Sequence, residues 1–397
     1  MIKLFRTRAI ALSTLGLVGV AAPGVAAPAK TYDINVILPL TGGVAFLGKE
    51  ERKSLQLIEK MVNKTGGIHG KPLHFTFYDD QTNPQTAVQL ANRATASKPA
   101  VVLGSSLVSS CGAMAPLMAS GPVMYCFSPG IHPAKGTYVF TSSVSTGDLA
   151  KALIRYFRLK GWTKIAIMTS ADATGQDAEK GLDKVIALPE NKGMTVVEHA
   201  HFNITDVSVA AQIEHIKEAK PQALIAWSSG SPIATVFKGI VQAGLNIPVA
   251  TTDANMTYAQ MKQYSAFLPK QLYIPSSEWE QHKGVITLDP GVEKAQKRFY
   301  SAYKSINYKP DIGATLSWDP ALIVIDALQH LGPNPSATQV RDYIAQIKGF
   351  AGINGIYNFP KSPQRGLDVN GAVVTLWSAA HQSWEIVSKP TGALLGK

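Results

Sequence analysis

The chain has 397 residues, of which 46% are apolar and 16% charged, with a formal charge of +11 and two cysteines. It is too apolar for a disordered chain, too poor in cysteine for a disulfide scaffold and too long for one compact core, so two lobes are expected. The basic residues are scattered, with no run of five or six Lys/Arg, which argues against a nucleic-acid surface.

Residues 1–29 carry Lys3, Arg6 and Arg8, then an apolar run over Ala9–Ala22, then Ala27-Pro28-Ala29. This pattern reads as a secretory signal peptide cleaved near Ala29, its apolar run shorter than the about 20 residues of a membrane span. The segment holds no acid, so its removal lowers the formal charge to +8. No later stretch is long and apolar enough to span, and a soluble, released protein is expected.

Asp33–Leu40 alternates as a strand. Leu55, Ile58 and Val62 recur at helical spacing within Glu50–Asn63, and Gly66-Gly67 ends that helix. Leu73, Phe75 and Phe77 alternate as a second strand. Asn83-Pro84 then opens a helix, because Asn accepts from free amides and Pro suits the first helical position. Short buried strands at 100–103 and 123–127 flank a helix expected from Ser110 to Ala119. Helices over 149–159, 175–188, 207–219 and 232–243 alternate with strands at 164–169, 195–201, 223–227 and 248–251. Beyond Pro269 lie helical stretches at 292–306, 319–331 and 337–347, then two closing antiparallel strands at 372–377 and 383–387. Repeated βα units predict an α/β fold of doubly wound parallel sheets. With no repeat of 20–50 residues and no low-complexity linker, the lobes are expected to share several crossovers. Cys111 and Cys126, fifteen positions apart, form either a disulfide, with about 3 kcal/mol of stabilisation in an oxidising compartment, or two buried thiols.

Signatures of catalysis are missing. Gly43–Lys49 imitates a phosphate loop, but Glu50 stands where Ser or Thr would reach magnesium, and a carboxylate there repels phosphate. No G-x-G-x-x-G, G-x-S-x-G or H-E-x-x-H occurs. His199 and His201 share one face of a strand, but the sequence offers no evident third ligand, so no metal and no cofactor are expected. The reading is of a protein that is not an enzyme.

Several stretches combine in a set order: Leu40-Thr41-Gly42-Gly43, then Asn63–Gly70, then Tyr78-Asp79-Asp80-Gln81-Thr82-Asn83-Pro84, Gly104-Ser105-Ser106, Ser128-Pro129-Gly130 and Gln242-Ala243-Gly244-Leu245. This order resembles the periplasmic binding proteins of branched-chain amino-acid ABC transporters, across nearly the whole chain after residue 29. The resemblance implies the type I binding-protein fold, two doubly wound parallel-sheet lobes joined by a three-strand hinge. Crossings are expected near Ser143–Ser145, Tyr273–Ser276 and Arg365, so that 30–144 and 275–365 form the first lobe and 145–274 and 366–397 the second. It implies a monomer in the periplasm that closes on a small solute, an amino acid or other carboxylate, and hands it to an ABC permease in the inner membrane. The alternative is a sensor of the same fold feeding a signalling receptor.

Ligands of open parallel sheets sit at the carboxyl ends of the strands, where helices begin and favour anions. Ser109 and Ser110 stand at such a start and either meet a carboxylate or merely cap the helix. By resemblance, the loop at Gly130 offers backbone groups, and His132 replaces a small hydroxyl residue. His132 then either donates to the solute or is a solvated loop residue. Phe46 and Leu47 are the expected apolar wall, or else packing under their loop. From the second lobe the candidates are Thr174, where many relatives have tyrosine, with Ser229, Gly230 and Asp253. Asp253 lies near the acid that pairs with a ligand ammonium in amino-acid binders, although Thr251–Asn255 also reads as an Asx-type turn.

Overall fold

The computed structural model describes residues 31–280 and 285–396. The signal-peptide reading of 1–29 falls outside them.

The first part of the chain builds β1 (Tyr32–Leu38), α1 (Ala45–Lys64), β2 (Leu73–Asp79), α2 (Pro84–Thr95), β3 (Val101–Gly104), α3 (Val108–Met114), β4 (Val123–Cys126) and β5 (Val139–Thr141). The five strands pair in parallel in the order β2-β1-β3-β4-β5. β3 and β4 are buried along their whole length, as expected for a parallel sheet covered on both faces. Asn83 caps α2 by accepting from the amides of Gln85 and Thr86. α3 is shorter than the sequence predicts and tightens into a 3-10 turn over Ala115–Met118, where Pro116 has no amide to continue the helix.

The chain then enters a second sheet through α4 (Thr146–Leu159), β6 (Lys164–Ser170), α5 (Ala173–Ile186), β7 (Thr195–Phe202), α6 (Ala210–Glu218), β8 (Ala223–Trp227), α7 (Ile233–Gln242), β9 (Val249–Ala250), α8 (Tyr258–Gln263) and β10 (Leu272–Ser277). It returns to the first sheet with α9 (Pro290–Lys304), α10 (Ile312–His330), α11 (Ala337–Gln346) and a hairpin of β11 (Lys348–Gly352) and β12 (Gly355–Asn358). It finally crosses back as β13 (Ala372–Ser378) and β14 (Ser383–Ile386). The second sheet runs β14-β13-β10-β9-β8-β6-β7, parallel except for the two closing strands.

α10 locks the returning segment onto the first lobe. Ser54 donates to the carbonyl of Ala314 at 2.9 Å, and Ser317 to that of Glu51 at 3.3 Å. A Cβ on Gly313 would meet the Leu47 carbonyl at 2.8 Å, so the two helices approach only because that position has no side chain. α10 also begins seven residues before the predicted Asp319. Asp311 is the true cap, accepting from Gly313, and Pro320 is carried inside the helix. Among the described residues no helix is long and apolar enough to cross a membrane.

Candidate functional site

The carboxyl ends of the two sets of parallel strands face each other across a cleft. From the first lobe come Val44 and Leu47 after β1, Ser106–Val108 after β3 and Ser128–Gly130 after β4, with Leu316 of α10 behind. From the second come Thr146 at the start of α4, Thr174 in the first turn of α5, Trp227 and Ser229 at the end of β8, and Thr252–Ala254 after β9. They enclose a cavity of about 30 Å³. The lobes are shut on each other. The amide of Ser231 donates to the carbonyl of Gly43 at 3.0 Å on one rim, and His132 Nε2 lies 2.6 Å from Asp177 Oδ1 on the other. Gly130 suits this closure, since a Cβ there would meet Val108 at 2.6 Å and Asp177 at 3.1 Å.

Asp253 is the most charged feature of the cleft wall. It is 1% exposed. Its Oδ1 accepts from the Thr252 hydroxyl at 3.0 Å, and its Oδ2 has no hydrogen-bond partner among the described residues. Burial pushes its carboxyl up to about 6, against the opposing bonds from Thr252 and the Ala254 amide. A buried carboxylate oxygen left without a donor is costly, so this wall is chemically incomplete. Below it, Asn255 accepts from the Gly230 amide at 3.1 Å and donates to the carbonyl of Ser228 at 2.8 Å. Gln260 donates to the Gly230 carbonyl at 3.1 Å. Both backbone groups of Gly230 are thus committed to its own lobe.

The first-lobe wall is of another kind. Its loop groups are hydroxyls and the first-turn amides of α3, which a helix cannot satisfy internally. Ser106 donates to Glu51 at 2.5 Å and Ser105 to Asp80 at 2.7 Å. Burial, opposed by the Ser106 bond, pushes Glu51 up to about 8. Two neighbouring supports fix the loops. A disulfide joins Cys111 in α3 to Cys126 at the end of β4, Cα to Cα 6.2 Å. Arg365, buried, donates to the carbonyls of Ser142 and Ser143 at 3.2 Å each, and of Pro129 at 3.0 Å and Ile131 at 2.7 Å. Removed from water, an arginine held by four carbonyls pins the Gly130 loop to the strand leaving the lobe.

Leu47, Gly130, Thr174, Ser229 and Asp253 therefore meet in one cavity. Phe46 is half-buried beside it. Ser110 is fully buried beneath it, facing Asp80. Ser109 and His132 line a separate, outer cavity of about 910 Å³ with Cys111. Val108, Ser128, Thr146, Thr252 and Leu316 belong to the wall without having been singled out in sequence. The first four follow strands or start helices, which is the signal that would have found them, whereas Leu316 is brought in by α10 from far along the chain.

Residues 31–375 match the family model described as periplasmic binding protein. The chain is 28% identical over 193 residues, 47% of its length, to "Leu/Ile/Val-binding protein homolog 3" of Brucella melitensis. It is 24% identical over 224 residues, 55% of its length, to the "Leucine-, isoleucine-, valine-, threonine-, and alanine-binding protein" of Pseudomonas aeruginosa. It spans 51% and 59% of those two relatives. The fold superimposes with a TM-score of 0.75, at 18% identity, on the branched-chain amino acid transporter substrate binding protein LivJ of Streptococcus pneumoniae in complex with isoleucine, covering 90% of this chain and 99% of that one.

Proposed function

This chain belongs to the periplasmic binding protein family, and from that premise we propose that it captures a small carboxylate-bearing solute between its lobes and delivers it to an ABC importer, making and breaking no bonds. Residues 1–29 direct its export in this reading, and the mature protein works in the periplasm. The three crossings between the sheets act as the hinge. A cavity of about 30 Å³ is too small for an amino acid, so capture requires the lobes to part and close again around the guest. Closure is a population shift, because only the closed form lets the solute touch both walls.

The observation that carries the reading is the unpartnered, buried Oδ2 of Asp253, set across the cleft from a wall of hydroxyls and amides. An α-amino acid matches both walls, its ammonium to Asp253 and its carboxylate to the Gly130 and Val108 side. Leu47, Val44 and Trp227 supply apolar surface for its side chain. Leu47, Gly130, Thr174, Ser229 and Asp253 are the contacts we assign to it.

Calorimetric titration of the mature protein with apolar amino acids and with amine-free acids tests this. A cognate solute at 100 times its Kd stabilises the fold by about 2.7 kcal/mol. Asp253→Asn weakens an amino acid at least about tenfold, on the scale of a hydrogen bond to a charged group. The pH dependence carries the sign. An amine-bearing solute needs ionised Asp253 and binds more tightly as pH rises through about 6. An amine-free acid is repelled by that same carboxylate and binds more weakly over the same range. The second pattern, with stabilisation by amine-free acids alone, would overturn the amino-acid reading. Loss of solute uptake by cells lacking the chain tests delivery.

A further inference from the structure

His199 and His201 stand two residues apart on β7, the edge strand of the second sheet, so their side chains leave the same face. α5 covers that face and supplies what the local sequence lacked. Glu179 Oε1 lies 3.4 Å from His199 Nδ1, and Oε2 lies 3.0 Å from His201 Nε2. All three residues offer a ligand atom within 4.8 Å of the other two. Around a tetrahedral ion with bonds of about 2.0–2.1 Å, ligand atoms sit about 3.3 Å apart, and the two carboxylate–imidazole separations, each to a different oxygen of Glu179, lie near that value. We infer that Glu179, His199 and His201 form a binding site for one divalent transition-metal ion of the zinc class, on the second lobe and separate from the solute cleft.

The surroundings are those of a ligand set. Asp183, one turn beyond Glu179, places Oδ1 4.0 Å from His199 Nε2, the ring nitrogen turned away from Glu179. It sets a carboxylate on the side of the ring opposite Glu179, where outer carboxylates stand around metal-bound histidines. Thr169 of β6 donates to Glu179 Oε2 at 3.4 Å. The side chains of His199, His201 and Glu179 are 32%, 52% and 28% exposed, which gives an ion a path in and leaves its fourth position to solvent. Two imidazoles and one carboxylate favour zinc, nickel or copper over magnesium or calcium, which prefer oxygen alone. None of the three residues lines the cleft cavity, so the site stands or falls apart from the solute reading.

Titration of the full mature chain with zinc chloride in chelator-free buffer tests the site. One saturable equivalent is expected, with no binding of magnesium or calcium, and cobalt in place of zinc should give the visible absorption of a tetrahedral ion. His199→Ala, His201→Ala and Glu179→Gln should each weaken zinc by more than about tenfold, and Asp183→Asn by less. Zinc should raise the Tm of the wild type and leave that of the His199→Ala/His201→Ala double variant unchanged. Near-ultraviolet circular dichroism in chelator confirms that the variant is folded. Absence of a saturable equivalent in the wild type, or the same stoichiometry and affinity in the folded double variant, overturns the inference.

Discussion

Asp319 and Asp253 are the same residue in nearly the same dielectric, with opposite roles. Both are fully buried, and burial pushes both carboxyls up to about 6. Asp319, in the middle of α10, accepts from the amides of Ile353 and Asn354, the Asn354 side chain and the Tyr357 hydroxyl, at 2.9 to 3.1 Å. It ties the β11–β12 hairpin to the first lobe. Asp253, on the cleft wall, receives at one oxygen, and its buried Oδ2 has no hydrogen-bond partner among the described residues. Asp319 finds all its partners in the fold, whereas Asp253 lacks one that the proposed solute ammonium would supply. Burial and perturbed acidity alone do not separate the two roles; the inventory of donors does.

The largest effect expected from this contrast is at Asp319. Asp319→Ala strands four buried donors and should cost about 3–5 kcal/mol of unfolding free energy, read from denaturant midpoints. Asp253→Asn should cost less than about 1 kcal/mol in the unliganded protein, since an uncompensated charge is removed. Equal losses at both positions would erase the distinction.

Next in size is the pH dependence. Both carboxyls bind protons more tightly folded, at about 6, than at the ordinary 3.8. Their contribution is therefore fully present below about pH 4 and is lost as pH rises through about 6. The slope of stability against pH is negative in that window, because the native state holds more protons than the unfolded one. Over the whole interval this is on the order of 2–3 kcal/mol per group. Denaturant unfolding between pH 4.5 and 7.5 should show Asp253→Asn losing less stability than the wild type by about 2 kcal/mol, because the window opens above the ordinary carboxylate value. Added amino-acid solute should flatten the wild type in the same way, by supplying the ammonium.

What the sequence disclosed of these regions follows from how local each signal is. The order of strands and helices was legible because Leu55, Ile58 and Val62 on α1, or the apolar runs of β4 and β8, report burial within a few residues. Asp253 came into view through the resemblance to amino-acid binders, not through local periodicity. The helix expected from 319 begins instead at Ile312, and packing against α1 and the hairpin keeps α10 running through Pro320. The β11–β12 hairpin was not legible, since Gly349, Gly352 and Gly355 dilute strand character. Glu179 meeting His199 and His201 depends on how α5 lies over an edge strand, which no spacing encodes.

Asp177 falls between the two aspartates and gives the smallest test. Its Oδ1 is held by His132 across the lobes, while its Oδ2, beside Gly130, has no hydrogen-bond partner among the described residues. The pair forms only when the lobes shut, so it is a contact of the closed state. The His132 side chain is 55% exposed, and solvent screens such a pair to about 0–1 kcal/mol. His132→Ala should therefore weaken solute binding by no more than about fivefold, chiefly through faster release, with global stability unchanged. Stopped-flow dissociation measures this directly. If loss of His132 instead abolished binding, the residue would be part of the solute's own wall, and the outer cavity it lines would have to be counted as cleft.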